Sequence, residues 1–243
     1  MARTPRKFQQ APSACYHLMN RGHNREAVFA DAEDRRYFLD LIVRYQKRFP
    51  ALRLFHYCLM SNHFHLLVQM DSARALSALM AGLLRAYVHY FNRRHGFVGY
   101  LWQGRFKSPA VEVEDYFLSC ARYIERNPVV AGLVSLPWEY DCCSSRAYAL
   151  GVPDPLLSYN VWYRELAADD EGRQRRWREF LLGDDPKEEL VRQGDWLIGE
   201  DNYRRRMQMP EARPTPRWRG RPRKPPAGAE GFFPQFYESV EDA

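Results

Sequence analysis

The chain has no C-x-x-C pair, no long apolar run and no internal repeat. Its five cysteines (Cys15, Cys58, Cys120, Cys142, Cys143) are odd in number. That argues against a disulfide framework and a four-cysteine zinc module, and leaves a reduced, cytoplasmic protein as the expectation. No apolar stretch approaches the roughly 20 residues that span a bilayer, so no membrane partner is expected. The opening residues, MARTPRKFQQAPSA, carry basic side chains without an apolar segment behind them, and no secretory leader is expected. Acidic residues are scarce in one place. From Tyr203 to Lys224 nine Lys/Arg face a single acid, Glu211. This stretch holds +8 of a net charge of +6, so the remainder sums to −2. The basic excess is local, which suits a polyanion held by a tail; composition alone favours a solvated, disordered tail.

What is present is enough apolar material for a core: 46% hydrophobic and 14% aromatic in 243 residues. Length and composition allow one sizeable domain plus a tail. CYHLMN (15–20) reads as a strand ended by Arg21-Gly22. Asp31 caps a helix that Pro50 stops. Leu52–Met60 and His63–Met70 form a hairpin around Ser61-Asn62. Ser72 opens a long helix that ends near Gly96. Phe106–Val113 is a fourth strand with Pro109 at an edge or bulge. Asp115 starts a third helix, expected to end or kink at Pro128. The order βαββαβα predicts an α+β fold: an antiparallel sheet with helices packed on one face. Segments 158–182 and 186–208 look helical, and from Pro210 the Pro/Arg-rich chain is expected to be unstructured. The expected organisation is therefore a main domain over 1–150, a helical extension over 151–209 and a basic tail over 210–243.

MSNHFHLLVQM (60–70) raises the functional question. Strand alternation puts His63, His65, Leu67 and Gln69 on one face and Phe64, Leu66, Val68 and Met70 on the other. The second face is wholly apolar and belongs against the core. Both imidazoles then point the other way, close enough to lean onto one divalent cation. H-x-H alone is also what an ordinary strand edge shows. A metal site needs a third donor, and the third helix offers one. Tyr116, Cys120, Tyr123 and Asn127 share a stripe, beside an apolar stripe of Phe117, Ala121 and Ile124. Asn127 can supply an amide oxygen to a hard cation. A tyrosine beside such an ion suits attack on a phosphodiester, although aromatic residues on a helix are ordinarily core.

Four motifs in order carry a resemblance: YHLMNRG (16–22), MSNHFHLLV (60–68), LWQGRF (101–106) and YIERNPV (123–129). Together they resemble the single-tyrosine HUH transposases and, within them, the REP-associated tyrosine transposases, over about residues 14–150. The resemblance implies a ferredoxin-like nuclease domain with His63 and His65 as metal ligands and Tyr123 as nucleophile. Asn127 stands where the family has a helix-borne polar ligand, and Tyr116 is the rival nucleophile. It further implies Mg²⁺ or Mn²⁺ as cofactor, single-stranded or hairpin DNA as partner, and cleavage through a 5′-phosphotyrosine intermediate. A monomer or a homodimer is compatible with it.

Arg21, Arg25, Arg105 and Lys107 lie near predicted loops and strand ends, as phosphate contacts do, together with Arg93, Arg94 and His95. Trp102 or Phe106 can stack an unpaired base, or be core. RWRGRPRK (217–224) resembles an AT-hook, with Arg219, Arg221 and Arg223 suited to an A·T minor groove. That implies attachment to AT-rich duplex DNA and association with the nucleoid. The competing reading is a domesticated protein that holds repeat hairpins without cutting them. A zinc hydrolase of another substrate is disfavoured by the basic tail.

Overall fold

The computed structural model describes residues 15–111 and 116–185, together with the backbone of Leu197–Ile198. The expected strand, helix, hairpin and long helix all form. They are β1 (Cys15–Arg21), α1 (Ala32–Arg48), β2 (Arg53–Leu59), β3 (His63–Gln69) and α2 (Ala73–His95). Asp31 caps α1 by accepting from the amides of Glu33 and Asp34, which satisfies two donors a helix start leaves open. Ser72 accepts from Ala75 N at the start of α2, which ends on a left-handed Gly96. After a loop come β4 (Ala110–Val111), α3 (Phe117–Val130), α4 (Ser145–Leu150), α5 (Val161–Glu165), α6 (Asp170–Leu182) and β5 (Leu197–Ile198).

The sheet order is β2-β3-β1-β4-β5. The pairs among the first four strands are antiparallel, and the two-residue β5 joins β4 in parallel. The α+β class and the βαββαβα order hold over the first seven elements. The expected fourth strand over Phe106–Val113 starts only at Ala110, and Glu112 and Val113 lie outside the described residues. Its stretch before Ala110 follows β1 by separate bonds, with His17 N donating to Pro109 O and Met19 and Lys107 exchanging amide bonds. Pro109 has no N–H to continue a ladder. Within the segment expected to be helical over 186–208, Leu197–Ile198 pair as a strand, and the rest lies outside the described residues. Asp115 and the tail from Pro210, with Arg219, Arg221 and Arg223, also lie outside them.

The packing corrects one expectation: helices cover both faces of the sheet. On one face Leu18, Phe64, Leu66 and Val68 meet Phe38, Leu83 and Tyr87 of α1 and α2. On the other, Phe55, Cys58 and Leu67 meet Phe117, Ala121 and Ile124 of α3, joined by Tyr148, Tyr163 and Trp177 from α4, α5 and α6. The histidine-bearing face also carries Cys15, Phe55, Cys58 and Leu67, so it too needs cover. A bulge serves this second core. The β2–β3 register slips between Leu54 and His56, so consecutive residues Phe55 and His56 both enter it, where His56 stacks on Tyr148 and Trp177. The second core draws on both sides of residue 150. No helix among the described residues is long and apolar enough to cross a membrane.

Candidate active site

The site forms where α3 lies over the two central strands. In the β1–β3 register Met19 opposes His65, Arg21 opposes His63 and His17 opposes Leu67. Cross-strand partners share a face, so His17, Met19 and Arg21 stand with the two expected histidines. The His63 and His65 rings are 5.0 Å apart and perpendicular. Tyr123 comes down from α3 edge-on to His65 at 5.5 Å and to His17 at 5.8 Å. His63, His65, Tyr123 and Asn127 line one cavity of about 720 Å³.

Local structure fixes each of these side chains. Gly22 turns the chain sharply out of β1; a Cβ there would come within 2.2 Å of the Glu26 carbonyl oxygen. Its amide bonds Asn62 O, which ties the end of β1 to the hairpin tip. Asn62 also holds His63, with Oδ1 2.6 Å from Nδ1. His65 Nδ1 is 2.8 Å from His17 Nε2. A lone pair on Nε2 of His65 requires the proton on Nδ1, which then donates to His17. On α3 the helix runs two residues beyond Pro128 rather than ending there. Pro128 provides no N–H for the carbonyl of Ile124, and the Asn127 amide nitrogen approaches that oxygen at 3.5 Å while donating to Tyr123 O at 2.7 Å. The Asn127 oxygen is thereby left on the cavity side, and a side-chain hydrogen bond joins Asn127 to His63.

The electrostatics are those of a site for an anion. Arg21, Arg105 and Lys107 line the cavity, and among the described residues no Asp or Glu does. Burial, reinforced by the nearby cations, keeps the imidazoles neutral. His63 is pushed down to about 4 by desolvation and Arg21, and His17 to about 3 by desolvation and Lys107. His65 lies well below its ordinary value, first through desolvation and then through His17, His63, Arg21 and Lys107. Neutral imidazoles have the lone pairs a metal needs. Among the described residues no cluster of three His, Cys, Asp or Glu is placed to hold a metal. The donor set is two imidazoles and one amide oxygen. That is sparse for a caged ion, but it fits a Mg²⁺-type ion that takes its other ligands from water and phosphate.

Several expected residues fall elsewhere. Tyr116 is buried in the second core and does not line the cavity, which leaves Tyr123 as the only tyrosine on its wall among the described residues. Phe106 is core, and half-buried Trp102 packs against the same core on Phe64 and Tyr87. Arg94 is bound to Asp31, Glu33 and Asp34, and His95 to Asp34, so these two serve the α1–α2 contact. Arg25 is exposed on the short turn His23–Arg25, outside the cavity lining. His17 and Asn62 are the site residues that sequence reasoning missed. Both stand inside the quoted motifs, but their roles depend on the pairing of β1 with β3.

Residues 10–127 match a family described as "Transposase IS200 like". Over this segment, just under half of the chain, the protein is similar to the IS200-like transposases. His17, His63, His65, Tyr123 and Asn127 all fall within the matched part of the transposase-like chain, whereas α4, α5 and α6 follow it. Among solved structures, a REP-associated tyrosine transposase bound to a REP hairpin is similar at 17% identity and a TM-score of 0.49, covering 66% of this chain and 93% of that one. No curated protein matches the chain.

Proposed function

We propose that this transposase-like protein is a metal-dependent endonuclease and strand transferase for hairpin-forming single-stranded DNA, with Tyr123 as nucleophile. The observation that carries the reading is Tyr123 set against His65 in a cavity whose charged lining, among the described residues, is cationic. Arg21, Arg105 and Lys107 hold the phosphates of the strand and orient one of them toward α3. The phenolic oxygen of Tyr123, its proton lost to solvent, attacks that phosphorus. A Tyr O–P bond forms, the P–O3′ bond breaks, and the departing 3′ oxygen takes up a proton. The products are a 5′-phosphotyrosine and a free 3′-OH. Because the phosphotyrosine keeps the energy of the broken diester, the 3′-OH of another strand can reverse the step and join. His63, His65 and the Asn127 oxygen would hold Mg²⁺ or Mn²⁺, which would polarise the scissile phosphate and stabilise charge on its oxygens. The neutrality of both imidazoles and the placement of His17 and Asn62 behind them prepare the ligands without proton release.

The test is a denaturing gel of protein incubated with labelled hairpin DNA from the source genome and Mg²⁺ or Mn²⁺. The parent protein is expected to yield a covalent adduct and a shortened 3′-OH strand. Tyr123→Phe should abolish both while retaining hairpin binding, and Tyr116→Phe should retain both. His63→Ala and His65→Ala should slow cleavage by orders of magnitude, and EDTA should mimic them. A parent that binds hairpins tightly yet never forms an adduct would instead be a non-cutting hairpin binder.

A further inference from the structure

With Phe106 buried and Trp102 packed against the core, the aromatic side chain of this loop that faces solvent is Tyr100, three residues before Gln103 on the cavity wall. It is 83% exposed and its neighbour Val98 93%, the two highest values among the large apolar side chains described. The loop that carries them is firmly held. Phe97 packs on Phe91 at one end, and Leu101 is buried at the other. His23 N donates to Leu101 O and Gln103 N to Arg21 O, both at 2.9 Å. Gly99, at φ 127°, gives the tip a backbone shape that side-chain-bearing residues rarely adopt. A loop anchored this way holds an aromatic ring in water with little motion to hide it.

The surroundings say what such a ring would meet. The strapped turn His23–Arg25 lies alongside, with Asn24 and Arg25 both at positive φ and Arg25 exposed. The same loop continues into Gln103, Gly104 and Arg105 on the cavity wall. Arg21, Arg25, Arg105 and Lys107 form no ion pair with a carboxylate among the described residues. Such cations on the same loop and the turn bonded to it, together with an exposed ring, match a polymer that alternates phosphates with flat apolar faces. Those faces are available only where bases are unpaired, since a duplex covers them by stacking.

We propose that Tyr100 is a stacking platform for an unpaired base flanking the DNA hairpin, with Arg25 and Arg105 on the adjoining phosphates. The inference rests on the DNA reading above and goes beyond it by assigning the single-stranded part of the substrate to this loop. The 96–105 segment thus divides its work between anchoring and contact. Leu101 and Trp102 fix it to the core, and exposed Tyr100 reads out shape rather than base identity.

The experiment uses the full chain carrying Tyr123→Phe, so that DNA is bound but not cut. The probes are a hairpin with a short single-stranded flank, bearing 2-aminopurine at one flank position at a time, and the same stem with blunt ends. Binding should quench the fluorophore at one flank position. Adding Tyr100→Ala should abolish that quench and weaken binding of the flanked hairpin roughly 5- to 150-fold, the range for removing one aromatic–base stack. The blunt hairpin should bind unchanged, and Tyr100→Phe or Tyr100→Trp should restore the quench. If Tyr100→Ala binds and quenches like its parent, the assignment of Tyr100 is overturned while the DNA reading stands. If the parent binds neither oligonucleotide, the DNA reading falls and this inference falls with it.

Discussion

Burial keeps His17, His63 and His65 neutral. In the unfolded chain each ring takes up a proton near the ordinary value of 6.5, whereas in the fold His63 resists until about 4 and His17 until about 3, with His65 shifted the same way. Between those limits the unfolded state binds more protons, so acid favours it. The stability tied to these rings is complete above pH 6.5 and declines progressively as pH falls toward 4 and on to 3. Metal-free protein is therefore expected to show a urea midpoint that declines from pH 7 to pH 4. His17→Phe, which keeps a ring and removes one titrating group, should flatten that decline. A pH-independent midpoint would mean that the rings are not buried neutral. At this scale the sequence was readable where the chemistry is local. Strand alternation alone put His63 and His65 on one face. His17 was not readable, because its bond to His65 depends on how two strands pair.

The element that decides the site is α3, which carries Tyr123 and Asn127 on one side and is clamped on the other. Glu125, fully buried, accepts from Trp177 Nε1 of α6 at 2.9 Å and from Ser144 Oγ at 2.6 Å, and it lies 2.8 Å from His56 Nδ1 on the bulged strand. Arg122 and Arg126 reach the end of α6, bonding the carbonyls of Phe180, Leu181 and Gly183. They give unsatisfied carbonyls a cationic cap, which also suits the helix dipole. Part of what holds α3, and with it Tyr123, thus comes from residues after the family-matched segment. Trp177→Phe leaves one Glu125 oxygen short of a donor and should cost about 1–3 kcal/mol, read as a lower urea midpoint at unchanged slope. Glu125→Ala strands Trp177 Nε1 and His56 Nδ1, while Ser144 Oγ keeps Tyr57, and should cost more. Both should slow adduct formation beyond their effect on hairpin affinity. A full rate in folded Trp177→Phe would show that the clamp does not position the nucleophile. The two stripes of α3 were legible from helical spacing. The clamp was not, because a buried glutamate meeting a tryptophan 52 positions later leaves no periodic trace.

On the scale of the whole molecule, charge is divided between the cavity and a tail, and the two should bind DNA in separable ways. The cavity presents Arg21, Arg105 and Lys107, while nine basic residues crowd 203–224. The tail was legible only as composition, since composition sets charge but not a fold. Removing residues 210–243 deletes Arg213, Arg217, Arg219, Arg221, Arg223 and Lys224 while leaving every proposed active-site residue in place. If those side chains meet phosphates, each such pairing releases condensed counterions. The slope of log affinity against log salt should then flatten by up to about 0.7 for each phosphate neutralisation removed on single strands, or about 0.9 on duplex. Affinity should fall most at moderate salt and most for AT-rich duplex, where an Arg-Gly-Arg-Pro segment has a narrow minor groove to enter. Adduct formation at low salt and saturating hairpin should persist, because the nucleophile and its neighbouring histidines do not depend on the tail. Titrating the full and shortened proteins with hairpin and AT-rich duplex across a salt series separates the two contributions. Equal affinities and slopes would reduce the tail to a solvated appendage, and failure to form the adduct at saturation would place part of the catalytic machinery beyond residue 209.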